Sequence, residues 1–158
     1  MPTKAQEMQS IIKRFREEKG ADSVDMHEVA KFAVSMGWPL PKPRTAWDRL
    51  AEQFSGAARV EMRRDEVTGR PYRANLAVTT WNGTQQSTLW TDIDVAPRPI
   101  AHKSFQQRRE QMVGDAVQLT FDAMHWNRVN QSELPIDMPM DLTDDVQWRL
   151  NGPSDKAA

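Results

Sequence analysis

The chain has 158 residues, a formal net charge of −1, six tryptophans and no cysteine. That length suits one domain with appendages, able to bury a core without metal or disulfide staples. Without cysteine there is no disulfide framework, no thiol nucleophile and no Cys-containing zinc site, and His27, His102 and His125 are the remaining imidazoles. No stretch approaches the roughly 18 uninterrupted apolar residues of a membrane helix, and Met1 to Ile12 is too polar for a signal peptide, so a cytoplasmic protein with no membrane contact is expected. The small net charge hides a division: 18 Lys and Arg stand against 13 Asp and Glu through Arg109, and 3 against 9 from Glu110 onward. A basic surface attached to an acidic segment is one reading of that split; drift on solvated faces is the other.

In chain order, Ala5, Met8, Ile11, Ile12 and Phe15 recur at helical spacing before Gly20, predicting a first helix from Thr3 to Lys19. Asp25, with Glu28 three residues on, has the form of a capping box, and Val29, Phe32, Ala33 and Met36 continue as a second helix closed by Gly37. The run Trp38-Pro39-Leu40-Pro41-Lys42-Pro43 is a stiff turn, since each proline lacks a donor and restricts its predecessor. A third helix carries Ala46, Trp47, Leu50, Ala51 and Phe54 up to Ser55-Gly56.

From Ala57 the period changes to two. Ala58, Val60 and Met62, then Tyr72, Ala74, Leu76 and Val78, predict strands with one buried face, joined by the polar loop Arg64 to Arg70. Asn82-Gly83 predicts a type I′ hairpin, and a third strand is expected from Gln85 to Val95. Pro97 and Pro99 end the sheet. Ser104 is read as the cap of a long helix reaching about Val129, in which Phe105, Met112, Leu119 and Trp126 repeat every seven residues and Gly114 invites a kink. Pro135 to Leu142 reads as an extended edge strand or arm. Thr143 is expected to cap a short acidic helix through Leu150, followed by a disordered tail from Asn151 to Ala158. The expected class is α+β, divided into residues 1–96, a linker and long helix over 97–131 that serves dimerisation, and an arm, acidic helix and tail over 132–158.

Helix, helix, proline turn, helix and strand meander is the order of a winged helix, and residues Thr3 to Val95 resemble that superfamily in element order. The resemblance implies three helices and a three-stranded antiparallel meander, with the third helix in the major groove of DNA and the wing on the backbone or minor groove. It places Lys42, Arg44, Thr45 and Arg49 at the start of the recognition helix and Arg63, Arg64, Arg70 and Arg73 around the wing as nucleic-acid-binding residues. Between Lys42 and Arg73 there are eight basic and five acidic residues, so the bias is modest. A second likeness, through Gly69-Arg70-Pro71-Tyr72-Arg73-Ala74, Leu89-Trp90-Thr91-Asp92-Ile93, Gln107-Arg108-Arg109-Glu110-Gln111 and Asp141-Leu142-Thr143-Asp144-Asp145, is similar to bacterial proteins of unassigned function and transfers no site.

Enzymatic patterns are weak. Asp92 and Asp94 with Glu61 resemble a metal-binding set only loosely, and carboxylates on the outer face of a strand are the simpler account. His102 is read as a linker residue, and no Gly-rich phosphate loop or Gly-x-Ser-x-Gly is present, so neither catalysis nor a metal or cofactor is expected. Trp81 beside its turn, and Phe121 and Met124 on a second apolar side of the long helix, are candidate partner-binding residues. Two functions follow as expectations. One is a DNA-binding regulator or accessory factor, sequence-dependent or non-specific, that dimerises through the long helix; the alternative is a protein-interaction module, an adaptor or assembly subunit without catalytic activity.

Overall fold

The computed structural model describes residues 1–152 as an α+β chain of five helices and two small antiparallel sheets. Two compact units, Met1–Ala51 and Glu52–Ala158, divide it within the third helix, where the sequence placed its first boundary after residue 96. Residues 153–158, most of the expected tail, lie outside the described residues; Asn151, assigned to that tail, instead closes a helix. Among the described residues no helix is long and apolar enough to cross a membrane.

In the first unit, α1 (Lys4–Lys19) starts on a complete capping box, because the Thr3 hydroxyl accepts from the Gln6 N–H at 3.2 Å and Gln6 Oε1 accepts from the Thr3 N–H at 2.7 Å. It stops at Gly20, whose φ of 61° is the left-handed conformation that glycine adopts without a Cβ clash. The Asp25 carboxylate caps α2 (Met26–Ser35) by accepting from the His27 N–H at 2.7 Å. Glu28 does not return to close the expected box; its carboxylate pairs with Lys31 at 3.0 Å on the outer face. Phe15 meets Phe32 edge-on at 5.3 Å between centroids, with Val29 and Ala33 buried.

α3 (Ala46–Val60) begins at Thr45, whose hydroxyl accepts from the Asp48 N–H at 3.1 Å. The expected stop at Gly56 is wrong by a turn. One glycine costs about 1 kcal/mol relative to alanine, and Ala57, Ala58 and Arg59 are strong helix formers, so the helix continues where alternation suggested a strand. No α3 residue is buried, and Trp47 and Phe54 are 82% and 68% exposed.

In the second unit, β1 (Met62–Arg64) pairs with β2 (Pro71–Arg73), and β3 (Asn75–Asn82) with β4 (Gln85–Asp92). The expected three-stranded meander is thus two two-stranded sheets. The division is a bend at Ala74, which is wholly buried; its N–H donates to the Glu61 carbonyl at 3.0 Å and its carbonyl accepts from the Ile93 N–H at 2.9 Å. The chain pairs with β1 before the bend and with β4 after it. Asn82 pairs with Gln85, so the two-residue loop is Gly83-Thr84, and Gly83 alone among these has positive φ. This is the φ pattern of a type II′ loop rather than the type I′ expected from Asn-Gly. β4 ends at Asp92 instead of Val95, because the Asp92 carboxylate accepts from the Asp94 N–H at 2.9 Å and turns the chain.

α4 (Arg98–Val129) begins six residues before Ser104, the expected cap. Pro99 occupies the first turn, where no intrahelical N–H is needed, so the prolines start this helix rather than precede it. His102 is therefore helical, not in a linker, and the helix runs through Gly114 unbroken for about 48 Å. Ser104 is buried and donates to the Ala77 carbonyl at 2.8 Å. One turn on, Gln107 Oε1 accepts from the Thr79 N–H at 2.9 Å and Gln107 Nε2 donates to the Thr79 carbonyl at 2.7 Å. The amide thereby satisfies both backbone groups of one residue of β3, as a neighbouring strand would.

Beyond α4 the chain turns back as the expected arm, without strand pairing. Asn127 holds it by accepting from the Ile136 N–H at 2.8 Å and donating to the Ile136 carbonyl at 2.9 Å. α5 (Thr143–Asn151) follows; Thr143 is its first residue rather than its cap, Leu142 precedes the helix without a side-chain cap bond, and the Asp141 carboxylate accepts from the Thr143 N–H at 3.0 Å. Gln107→Leu is expected to lower the free energy of unfolding by about 1–3 kcal/mol, the cost of stranding two partly buried backbone groups. Denaturant unfolding checks this, and an unchanged midpoint would remove the amide from its structural role.

Candidate functional site

The sequence-predicted nucleic-acid-binding residues fall in both units, Lys42 to Arg49 in the first and Arg63 to Arg73 in the second. Lys42, Arg44 and Arg49 are exposed around the start of α3, where Thr45 is engaged as the helix cap. Arg64 reaches across the β1–β2 loop and donates to the Gly69 carbonyl at 3.1 Å, while Arg70 is exposed at its end. That loop is held by Asp65, whose carboxylate accepts from the Val67 and Thr68 N–H groups at 2.9 Å each. Those bonds lower the Asp65 pKa.

Arg63 has a different role from the one its position suggested. Its guanidinium makes paired bonds of 2.9 Å to both oxygens of Asp92 and a third of 2.7 Å to Asp94, with Glu61 at 3.8 Å. The Tyr72 hydroxyl donates to Asp94 at 3.2 Å. The three carboxylates that loosely resembled a metal set are therefore gathered, rather than spread along a strand face, and the cation among them is Arg63. Three acids around one guanidinium repel a phosphate, so this arginine acts as a clasp between β1 and the end of β4. Its pKa is raised by the bonds to Asp92 and then Asp94, and that of Asp92 is lowered chiefly by Arg63.

Arg73 leads to a group the sequence did not assemble. With Arg59 at the end of α3 and Arg108 on α4, it lines a recess of about 220 Å³ whose wall includes Trp90. The Arg59 guanidinium lies 5.8 Å from the centre of the Trp90 ring, and among the described residues none of the three arginines has a carboxylate partner. Nothing local in the sequence joins Arg59 to Arg108, which lie 49 residues apart on elements brought together through the contact of α4 with β3.

The apolar candidates are accessible. Trp81 is 69% exposed beside the hairpin loop, near Lys103 and Arg109. Phe121 and Met124 are 59% and 63% exposed, and Met112 and Leu119 are 59% and 46% exposed. The arm lies along α4 at Asn127, which bonds Ile136, and beside Met112, Val113 and Ala116, which line a recess with Met140, Leu142 and Val146. No family model matches this chain, and neither the curated proteins nor the solved structures contain a significant match.

The clasp gives a pH dependence. Since Asp92 is held below its ordinary pKa of about 3.9, its contribution to stability is present above that value and lost as pH falls through the depressed one. Asp92→Asn is expected to unfold at a lower temperature near neutrality and to lose less further stability on acidification than the parent chain. Thermal unfolding as a function of pH measures it; parallel curves for the two proteins would show that the clasp does not couple to folding.

Proposed function

We propose that the chain is a non-catalytic assembly module of the bacterial cytoplasm that docks another protein through α4. The observation that carries this reading is the exposure of Phe121 and Met124 on a helix along which the chain's own arm already covers part of another side, at Met112, Val113 and Ala116. Large apolar side chains in water forgo about 1.5–3 kcal/mol each relative to full burial, so a partner surface that covers them gains substantial free energy. α4 is also anchored at Ser104 and Gln107, which holds its apolar length as a ready-formed docking element with little ordering left to be done on binding. Phe121→Asp with Met124→Asp is expected to release a stoichiometric protein partner that co-purifies with the intact chain, while circular dichroism stays unchanged. Retention of that partner by the double variant would contradict the reading.

A second reading is favoured by the recess of Arg59, Arg73 and Arg108. Three guanidiniums without carboxylate partners beside a tryptophan suit phosphate oxygens and a stacked base, which supports DNA binding at a place other than a recognition helix and wing. On this reading, Arg59→Ala with Arg73→Ala weakens binding to random duplex DNA and flattens its salt dependence. Equal affinity and slope in the parent and variant would exclude it.

A further inference from the structure

We propose that one face of the β3–β4 hairpin is a platform for single-stranded DNA, on which Trp90 and Trp81 stack bases while the basic side chains around them hold phosphates. This rests on the second reading above and names the form of DNA that the arginine recess takes.

The first support is what a tryptophan can touch. In a duplex each base is covered on both faces by its neighbours, and its edges alone are open in the grooves. An aromatic ring in a recess therefore meets the face of a base only when that base is unpaired. Trp90 lines the recess of about 220 Å³ together with Arg59, Arg73 and Arg108. That space is small beside the roughly 300–1,000 Å³ of a typical ligand site, so it suits one base or one phosphate and not a double helix. Arg59, 5.8 Å from the centre of the Trp90 ring, adds a second stacking surface, since bases also pack on a guanidinium plane.

The second support is register. Trp90 is opposite Ala77 and Trp81 is opposite Gln86, and residues directly opposed, or two apart along a strand, project from one face. Both tryptophans belong to the same face, with Thr79 and Thr88 between them, and the hydroxyls of that threonine pair meet at 3.2 Å. Four residues along β3 separate the two positions, about 13 Å. Neighbouring bases stacked at about 3.4 Å do not reach both rings, whereas a single strand with its bases splayed along the face does. Trp81 is 69% exposed and lines a wider recess that shares Thr79 and Gln111 with the first, so the two adjoin.

The third support is charge. From Ala74 to Thr91 the chain carries no charged residue, so the floor is neutral and the cations stand around it. Arg59, Arg73 and Arg108 surround Trp90, while Lys103 and Arg109 line the recess of Trp81, with Glu110 also there. Asp92, the next residue on the face of Trp90, is held by Arg63. An aromatic floor with cationic sides follows a single strand by stacking and phosphate contact, with little dependence on base sequence. Ser104 and Asn75 conform to that, since each already donates to a backbone carbonyl of the chain instead of reading a base.

Fluorescence anisotropy of the intact chain tests this, using a labelled oligothymidylate of about 16 nucleotides, the upper end of a single-strand site on one domain, and a random duplex of the same length. The single strand is expected to bind about tenfold more tightly or better. Trp81→Ala is expected to weaken that binding about tenfold, the effect of losing one stacked base, with an unchanged circular dichroism spectrum. Arg108→Ala is expected to lower the slope of log affinity against log salt by about 0.7, one phosphate contact on a single strand. A duplex bound as tightly as the single strand would overturn the single-strand platform and leave the DNA reading intact, whereas binding of neither would remove both. Unchanged single-strand affinity in the folded Trp81→Ala variant would sink the hairpin face as the platform. An oligouridylate bound more tightly than the oligothymidylate would overturn DNA as the strand it takes.

Discussion

The second unit depends on a side-chain amide standing in for a strand. β3 pairs with β4 on one edge, and on the other it presents the Ala77 carbonyl and both backbone groups of Thr79, two residues apart and therefore on the same side. An unpaired edge of that kind loses stability when it is partly buried and templates aggregation when it is open. Ser104 and Gln107, one helical turn apart, satisfy these groups in succession. Because both anchors belong to the first third of α4, they fix its start against the sheet and leave the remainder projecting as a helix with its own surface.

That projection explains how the rest is organised. The arm returns along α4, held by the two bonds between Asn127 and Ile136, and lies beside Met112, Val113 and Ala116. Leu119, Phe121 and Met124 remain exposed. Elsewhere the unit is joined by polar contacts of limited extent. The Arg63 clasp connects the two sheets across the bend at Ala74, and the Asn75 amide donates to the Ala58 carbonyl at 3.0 Å to hold the end of α3. With Ala74 and Leu76 as its buried apolar residues among those described, this unit has a small core of its own.

The sequence showed the helices well and the sheet poorly, for local reasons. The start of α1, the Asp25 cap and the glycine stop are interactions within a few residues of each other, so spacing reveals them. Glu28 shows the limit, since a nearby lysine competed for its carboxylate. Strand alternation was seen over Tyr72 to Val78, but a buried alanine that bends the chain looks the same as one that does not. Ser104 and Gln107 were missed for a related reason. A serine after two prolines reads as a helix cap, and only its meeting with β3, 27 residues earlier in the chain, shows that it is an anchor. The proposed site residues divide likewise: the exposure of Trp81, Phe121 and Met124 follows from a turn position and from apolar positions on more than one side of a helix, whereas the arginine recess and the acidic setting of Arg63 depend on contacts about 30 or more residues apart.

The central claim is that α4 beyond Gln107 completes its burial in an assembly. Amide hydrogen exchange across α4, compared between the isolated chain and its complex with the protein it docks, tests this directly, since exchange reports local opening of helical hydrogen bonds. The account predicts that amides near Ser104 and Gln107 are equally protected in both, while those from Val117 to Val129 gain protection in the complex. Equal protection along the whole helix in both states would contradict it.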